Sequence, residues 1–142
     1  MRVLAVDSGR IAVRTETGVR LLGARGSVLR DFAAVGRVAA LSGRRLAVRT
    51  SDAVEIYDTE AGQLILRLPV QASVRLEDLE GNVLVTASGG SVTLQNVANG
   101  RMTTIRAGGV ARAQLEPPGL FVAGYRRLTF TPMRDVLRRL VG

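Results

Sequence analysis

A chain of 142 residues with 46% hydrophobic content has the length and the apolar side chains for one domain with its own core. It contains no cysteine and no histidine, which excludes a disulfide framework, a thiolate metal site, a cysteine nucleophile and any histidine-based catalytic triad. All 20 basic residues are arginine, the formal net charge is +8, and the apolar runs fall far short of the roughly 18 residues of a membrane span.

In chain order, the first segment, Met1 to Asp7, is too short and too soon charged for a signal peptide. If Met1 is the natural start, the expected compartment is the cytoplasm. Period-two alternation rich in Val, Ile, Leu and Thr, broken by Gly, Asn, Asp and Ser, predicts strands joined by tight turns. They fall at 2–6, 11–15, 18–22 and 27–32; at 36–41, 45–50, 53–57 and 63–68; at 73–79, 83–87, 91–96 and 102–106; and at 110–115, 120–124 and 127–131. Leu46, Val48 and Thr50 alternate with Ala47 and Arg49, which reads as strands half-buried on one face. After Pro132 the apolar positions 136, 137, 140 and 141 take helical spacing, and a short helix is expected as a cap over an open sheet edge.

The strands repeat. Ala12-Val13-Arg14-Thr15 recurs as Ala47-Val48-Arg49-Thr50, and more loosely as Leu84-Val85-Thr86-Ala87 and Phe121-Val122-Ala123-Gly124. Each copy follows a turn signal: Ser8-Gly9-Arg10, Ser42-Gly43-Arg44, Glu80-Gly81-Asn82 and Pro117-Pro118-Gly119. The repeats span about 1–34, 35–70, 71–108 and 109–142, in a single domain over 1–142. The expected class is all-β: an array of about four four-stranded antiparallel blades, the last incomplete, with a short C-terminal helix.

Tyr57-Asp58-Thr59-Glu60-Ala61-Gly62, its degenerate copy Asn96-Val97-Ala98-Asn99-Gly100, and the blade opening Ser42-Gly43-Arg44-Arg45-Leu46-Ala47-Val48 resemble β-propellers of the WD40-like and YVTN type. Through Gln114 to Phe121 the chain also resembles the C-terminal part of uncharacterised propeller proteins of high-GC bacteria. The Gly-His pair of strict WD40 repeats and all tryptophan are missing, so the resemblance concerns architecture. It is compatible with a closed four-blade ring, an open half-ring that pairs with a second copy, or a fragment of a longer chain, and an open or incomplete ring is the preferred expectation.

Charge is unevenly spread, at +7 over 1–50, −5 over 51–100 and +6 over 101–142. Basic ends and an acidic middle favour self-association or a protein partner. Nucleic acid is disfavoured because the stacking aromatics are few and Arg14, Arg20 and Arg49 read as a solvated sheet face. Asp58-Thr59-Glu60 and Glu77-Asp78-Leu79-Glu80 lack the spacing of an ion-binding loop and read as charged strand ends, so no metal and no cofactor are expected. Gly23-Ala24-Arg25-Gly26 and Ser88-Gly89-Gly90-Ser91 are followed by strands, which makes them hairpin turns and not phosphate cradles.

No residue is assigned a catalytic role. Binding candidates are chosen by position, on one rim of equivalent second-hairpin turns: Glu16, Asp52, Ser88, Tyr125, Arg126 and Arg127. The expected function is a non-catalytic interaction module that binds a protein or ligand through that rim. The alternatives are a portion of a propeller hydrolase or lyase completed elsewhere, and a basic nucleic-acid-binding sheet.

Overall fold

A computed structural model of the chain describes residues 2–109 and 112–141. Among them, the strands of the first two repeats are β1 (Arg2–Asp7), β2 (Arg10–Arg14), β3 (Val19–Leu22), β4 (Val28–Phe32), β5 (Val38–Ser42), β6 (Arg45–Arg49), β7 (Ala53–Asp58) and β8 (Leu64–Pro69). Those of the last two are β9 (Arg75–Glu80), β10 (Val83–Ser88), β11 (Ser91–Asn96), β12 (Met102–Arg106), β13 (Arg112–Glu116), β14 (Gly119–Gly124) and β15 (Arg127–Pro132), followed by helix α1 (Met133–Leu140). Every strand expected from the alternation is present, with ends moved by two residues at most. The expected start of the thirteenth, at 110 and 111, lies outside the described residues.

The strands form four antiparallel sheets, each in chain order: β1-β2-β3-β4, β5-β6-β7-β8, β9-β10-β11-β12 and the three-stranded β13-β14-β15. Sequential antiparallel order needs only hairpin turns, which is what the short Gly-rich breaks supply. The class is therefore all-β with four repeated sheets, an incomplete last one and a C-terminal helix. Among the described residues no helix is long and apolar enough to cross a membrane. The chain divides into two compact units, residues 1–72 and 73–142, each holding two sheets.

In the first unit, one face of sheet one (Ala12, Val19, Leu21, Phe32) packs on one face of sheet two (Ala39, Leu41, Leu46, Val48). The expectation of half-buried strands is corrected in sheet two. Leu46, Ala47, Val48, Val54 and Ile56 all have zero exposure, so both alternation classes are buried. Period two still sets which residues share a face, but along the inner strands β6 and β7 apolar residues are buried on both faces, while β8 stays largely exposed. Arg49, expected on a solvated face, instead donates to the Thr50 and Gln71 carbonyls.

The two sheets are also tied through turns. Asp7 accepts from the Gly43 amide at 3.1 Å, and Arg10 donates to the Gly43 carbonyl and to Thr59 Oγ1. Thr59 is the buried polar residue of the Tyr57–Gly62 turn. In that turn Asp58 Oδ1 accepts from the amides of Glu60 at 2.8 Å and Ala61 at 2.9 Å, and Gly62 takes φ +75°. The Ala61 and Glu60 amides hold the Asp58 carboxyl below its usual range. Asn96 repeats the arrangement: its Oδ1 accepts from Ala98, and Gly100 takes φ +77°. The degenerate sequence copy is thus a faithful structural one.

Tyr57 packs on Phe32 with ring centroids 5.2 Å apart and donates to Glu55 at 2.9 Å. Burial first, then that carboxylate, pushes its phenol up to about 12. In a Tyr125→Phe variant, which leaves Tyr57 as the single tyrosine, ultraviolet titration is expected to show ionisation well above the usual value of about 10. Because the folded-state value is raised, stability is held below the unfolded-state value and lost as pH rises through the folded one. An ordinary titration midpoint with the protein still folded would contradict this placement of Tyr57.

In the second unit the core joins Val83, Val85, Ala87, Val92 and Leu94 of sheet three to Leu115, Leu120 and Val122 of sheet four. Val136 and Leu140 of α1 belong to the same cluster. This corrects the reading of the helix as an edge cover. Its buried residues plug the core between two sheets, while Leu137 and Val141, expected on the apolar side, are exposed. The helix starts directly after Pro132, and Met133 also packs on this core. Strand β15 stays the last strand of its sheet, with Arg127 to Phe130 exposed.

Candidate functional site

The repeated Ala-Val-Arg-Thr text ends at a threonine for a structural reason. Thr15 closes the β2–β3 turn: its amide donates to the Gly18 carbonyl at 2.9 Å and its Oγ1 accepts from the Gly18 amide at 3.1 Å. Thr50 does the same with Ala53 in the β6–β7 turn, at 2.9 and 3.2 Å. Gly18 has no room for a Cβ against the Phe32 carbonyl, which fixes glycine there. In the second unit the corresponding turns shorten to two residues, Gly89-Gly90 and Tyr125-Arg126.

In the first unit, the β1–β2 and β5–β6 turns meet through Arg10, Asp7 and Gly43. Hairpin turns alternate between the ends of a sheet, so the β2–β3 and β6–β7 turns share the opposite edge. Glu16 and Asp52 are therefore on one edge of this unit. In the second unit the Gly90 carbonyl accepts from the Ala107 amide at 2.6 Å, and the Tyr125 amide donates to the Gly108 carbonyl at 3.2 Å. The segment after β12 thereby gathers the Ser88 turn and the Tyr125 turn.

The candidates differ in how far their own hairpins occupy them. The Asp52 carboxylate takes Arg67 at 2.8 Å and Thr50 Oγ1 at 3.3 Å. Ser88 Oγ lies 3.2 Å from Ser73 Oγ. Tyr125, 72% exposed, carries the Arg126 guanidinium 5.2 Å from its ring centroid, and Arg126 takes φ +65°. Arg127 is exposed at the start of β15.

Glu16 has a different setting. With Arg2, Arg14, Thr15, Thr17 and Arg20 it lines an open depression of about 700 Å³. Arg2 and Arg14 are direct cross-strand partners in the β1–β2 ladder, so two guanidinium groups share one face. Like charges directly opposite in a ladder repel. Neither has an ion-pair partner among the described residues. Arg20 is bound to Asp31 at 2.8 Å, and that hydrogen bond holds the Asp31 carboxyl below its usual range. Arg20 therefore brings little net charge, and the positive field of the depression comes from Arg2 and Arg14.

The sequence reading missed Arg2 and treated Arg14 as solvated surface. A bulge between Val3 and Ala5 sets the register that pairs Arg2 with Arg14, and no residue there announces it. The acidic run at 77–80 was misread in a similar way. A bulge at Glu77 of β9, opposite the Val85–Thr86 step of β10, lets the adjacent Glu77 and Asp78 both reach β13. Glu77 accepts from the Ala113 amide at 3.1 Å and pairs with Arg112 at 3.1 Å; Asp78 accepts from the Leu115 amide at 2.8 Å. These are carboxylates that hold a neighbouring strand, not a charged turn. Among the described residues no group of three or more acids is placed to hold a metal ion.

No protein-family model and no curated protein matches the sequence. Solved structures match in fold. The computationally designed Ika4 protein matches at 13% identity and a TM-score of 0.67, over 92% of this chain and 89% of that one. Kluyveromyces lactis Hsv2 matches at 14% identity and a TM-score of 0.73, over 92% of this chain and 45% of that one. Kuenenia stuttgartiensis hydrazine synthase matches at 16% identity and a TM-score of 0.62, over 94% of this chain and 46% of that one. The chain thus spans less than half the length of the two natural proteins. The likeness is one of architecture, that of the β-propeller type.

Proposed function

We propose that residues 1–142 form one propeller-type repeat domain of WD40-like, YVTN-type character, acting as a non-catalytic binding module. The reused Asp58 and Asn96 turns support the label. The observation that carries the function is the Arg2–Arg14 pair, two guanidinium groups with no ion-pair partner among the described residues, facing each other in the depression beside the Glu16 turn. An anionic group of a ligand or protein partner placed between them converts repulsion into two charge-assisted hydrogen bonds. The Thr15 and Thr17 side chains at the lip add neutral donors. The turns of Asp52, Ser88 and Tyr125 to Arg127 are proposed as further parts of the binding surface, chosen by their equivalent places in the repeats.

The test is titration with inorganic tripolyphosphate and with a glutamate-rich peptide, followed by calorimetry. Binding is expected to weaken as salt rises, and the Arg2→Ala/Arg14→Ala variant is expected to lose at least about tenfold in affinity, the worth of one charge-assisted contact. An Arg134→Ala variant, which removes a cation from an exposed position of α1 outside the proposed surface, is expected to bind as the parent does. No binding of either probe by the parent protein, or binding that the double variant leaves intact, would overturn the reading.

A further inference from the structure

Within each unit, neighbouring sheets stack by the same rule, and the fourth sheet carries the receiving half of that contact uncovered. In sheet three the receiving residues are Val85, Ala87, Val92 and Leu94, all at most 2% exposed. Their ladder pairs are Val85 with Leu94 and Ala87 with Val92. The β14–β15 hairpin has the same strand lengths, the same two-residue turn and the same register: Phe121 pairs with Phe130 and Ala123 with Leu128. These four residues are the structural equivalents of the four buried ones. They are apolar too, yet Leu128 is 72% exposed, Phe130 47% and Phe121 37%. The Phe121 and Phe130 rings meet tilted with centroids 4.9 Å apart, and Phe121 lines with Arg112, Gln114, Ala123 and Leu128 a groove of about 340 Å³.

Sheet one carries the other half. Sheet two meets sheet one through Leu46 and Val48. The Ala-Val-Arg-Thr repeat makes Ile11 and Val13 their equivalents in sheet one, on the face opposite Ala12 and Leu21. Ladder pairing puts Val3 beside Val13, and Val6 and Val28 in line with Ile11 and Leu22. Val3, Val6 and Val28 are 57%, 66% and 56% exposed. The face that approaches a preceding sheet therefore also carries uncovered apolar side chains, Val3, Val6 and Val28, beside a buried Val13 and the Arg20–Asp31 ion pair in the same ladder row. Uncovered apolar side chains on two such faces mark an interaction surface.

We propose that the Phe121–Ala123–Leu128–Phe130 face of sheet four binds the Val3–Val6–Val28 face of sheet one of a second copy of this chain, continuing the internal sheet stacking head to tail. A second copy is the fitting occupant because this chain itself bears the approaching half of the contact that the receiving half is built for. The contact is heterologous, so two copies that each use both faces close on one another, and copies that do not close run on as a chain. The inference does not rest on anion binding: the faces involved exclude Arg2 and Arg14, and assembly and ligand binding are read separately.

Sedimentation equilibrium of the full chain over a concentration series tests it. The parent is expected to assemble, as a dimer or longer. Leu128→Glu and, separately, Val6→Glu are each expected to give monomers with unchanged far-ultraviolet circular dichroism, since both side chains are exposed. An equimolar mixture of the two variants is expected to regain a heterodimer, because Leu128→Glu keeps an intact sheet-one face and Val6→Glu an intact sheet-four face. A parent that stays monomeric at all concentrations overturns the proposal, whether the two faces meet within one chain or await a different protein. So does assembly that Val6→Glu leaves intact, which would mean that sheet four pairs with itself. The mass of the parent decides even if a variant fails to fold.

Discussion

Replacing Leu140 by alanine is expected to lower the unfolding free energy by about 3 kcal/mol, the usual cost of removing a fully buried leucine. Leu140 has zero exposure and sits with Val136 in the cluster formed by Leu94, Leu115, Leu120 and Val122. The substitution leaves the Leu140 carbonyl in place, where it accepts from Asn99 Nδ2 at 2.9 Å and Asn96 Nδ2 at 3.3 Å. The loss therefore reports packing and not the hydrogen bonds. Leu137→Ala, on the exposed side of the same helix, makes the same chemical change and is expected to stay within about 0.5 kcal/mol. Urea unfolding gives both values from the midpoint at constant slope. Equal, small losses at both positions would return the helix to the role of a loose edge cover.

Asp78→Ala is expected to cost about 2 kcal/mol, and a melting temperature lower by roughly 8 °C in a chain of this size. The Asp78 carboxylate accepts from the amides of Leu115 and Leu79, each at 2.8 Å, and its removal strands a donor on the unpaired side of β13. Burial, opposed by those two amides, raises the Asp78 carboxyl above its usual value. A raised folded-state value means that the native protein binds the proton more tightly than the unfolded chain. Its contribution is then full below the unfolded value and falls as pH rises through the folded one. The stability difference between the parent and Asp78→Asn should accordingly be larger at acidic pH than at neutral pH. Differential scanning calorimetry of both proteins across that range measures it. A difference that grows toward neutral pH would mean that the amide bonds outweigh burial.

Which parts could be read from the sequence follows from the range of the interactions involved. Strands and turns are local. Val, Ile and Thr at period two, with Gly62 or Gly100 after an Asp or Asn, specify backbone conformation within a few residues. The Tyr57–Gly62 motif and its copy at Asn96 could therefore be read directly. The helix could be found but not oriented. Spacing placed Leu137 on the apolar side, but the packing against sheets three and four buries Val136 and Leu140 and leaves Leu137 43% exposed. The two bulges left no readable mark, because each depends on which residue of a neighbouring strand fills the extra position. Without them Arg2 does not meet Arg14, and Glu77 and Asp78 point to opposite faces.

By itself the sequence determined that this chain folds as four repeated antiparallel sheets with a short last member and a terminal helix. Each repeat writes its own hairpins, and hairpins are decided by contacts close in the chain. It also removed cysteine and histidine chemistry outright. Only the tertiary structure decided which alternating face is buried, which carboxylates hold strands instead of lining turns, and where two arginines face each other across a ladder. Those are contacts between residues far apart in sequence, set by register and by how one sheet lies on the next, and the same alternation is compatible with either face inward.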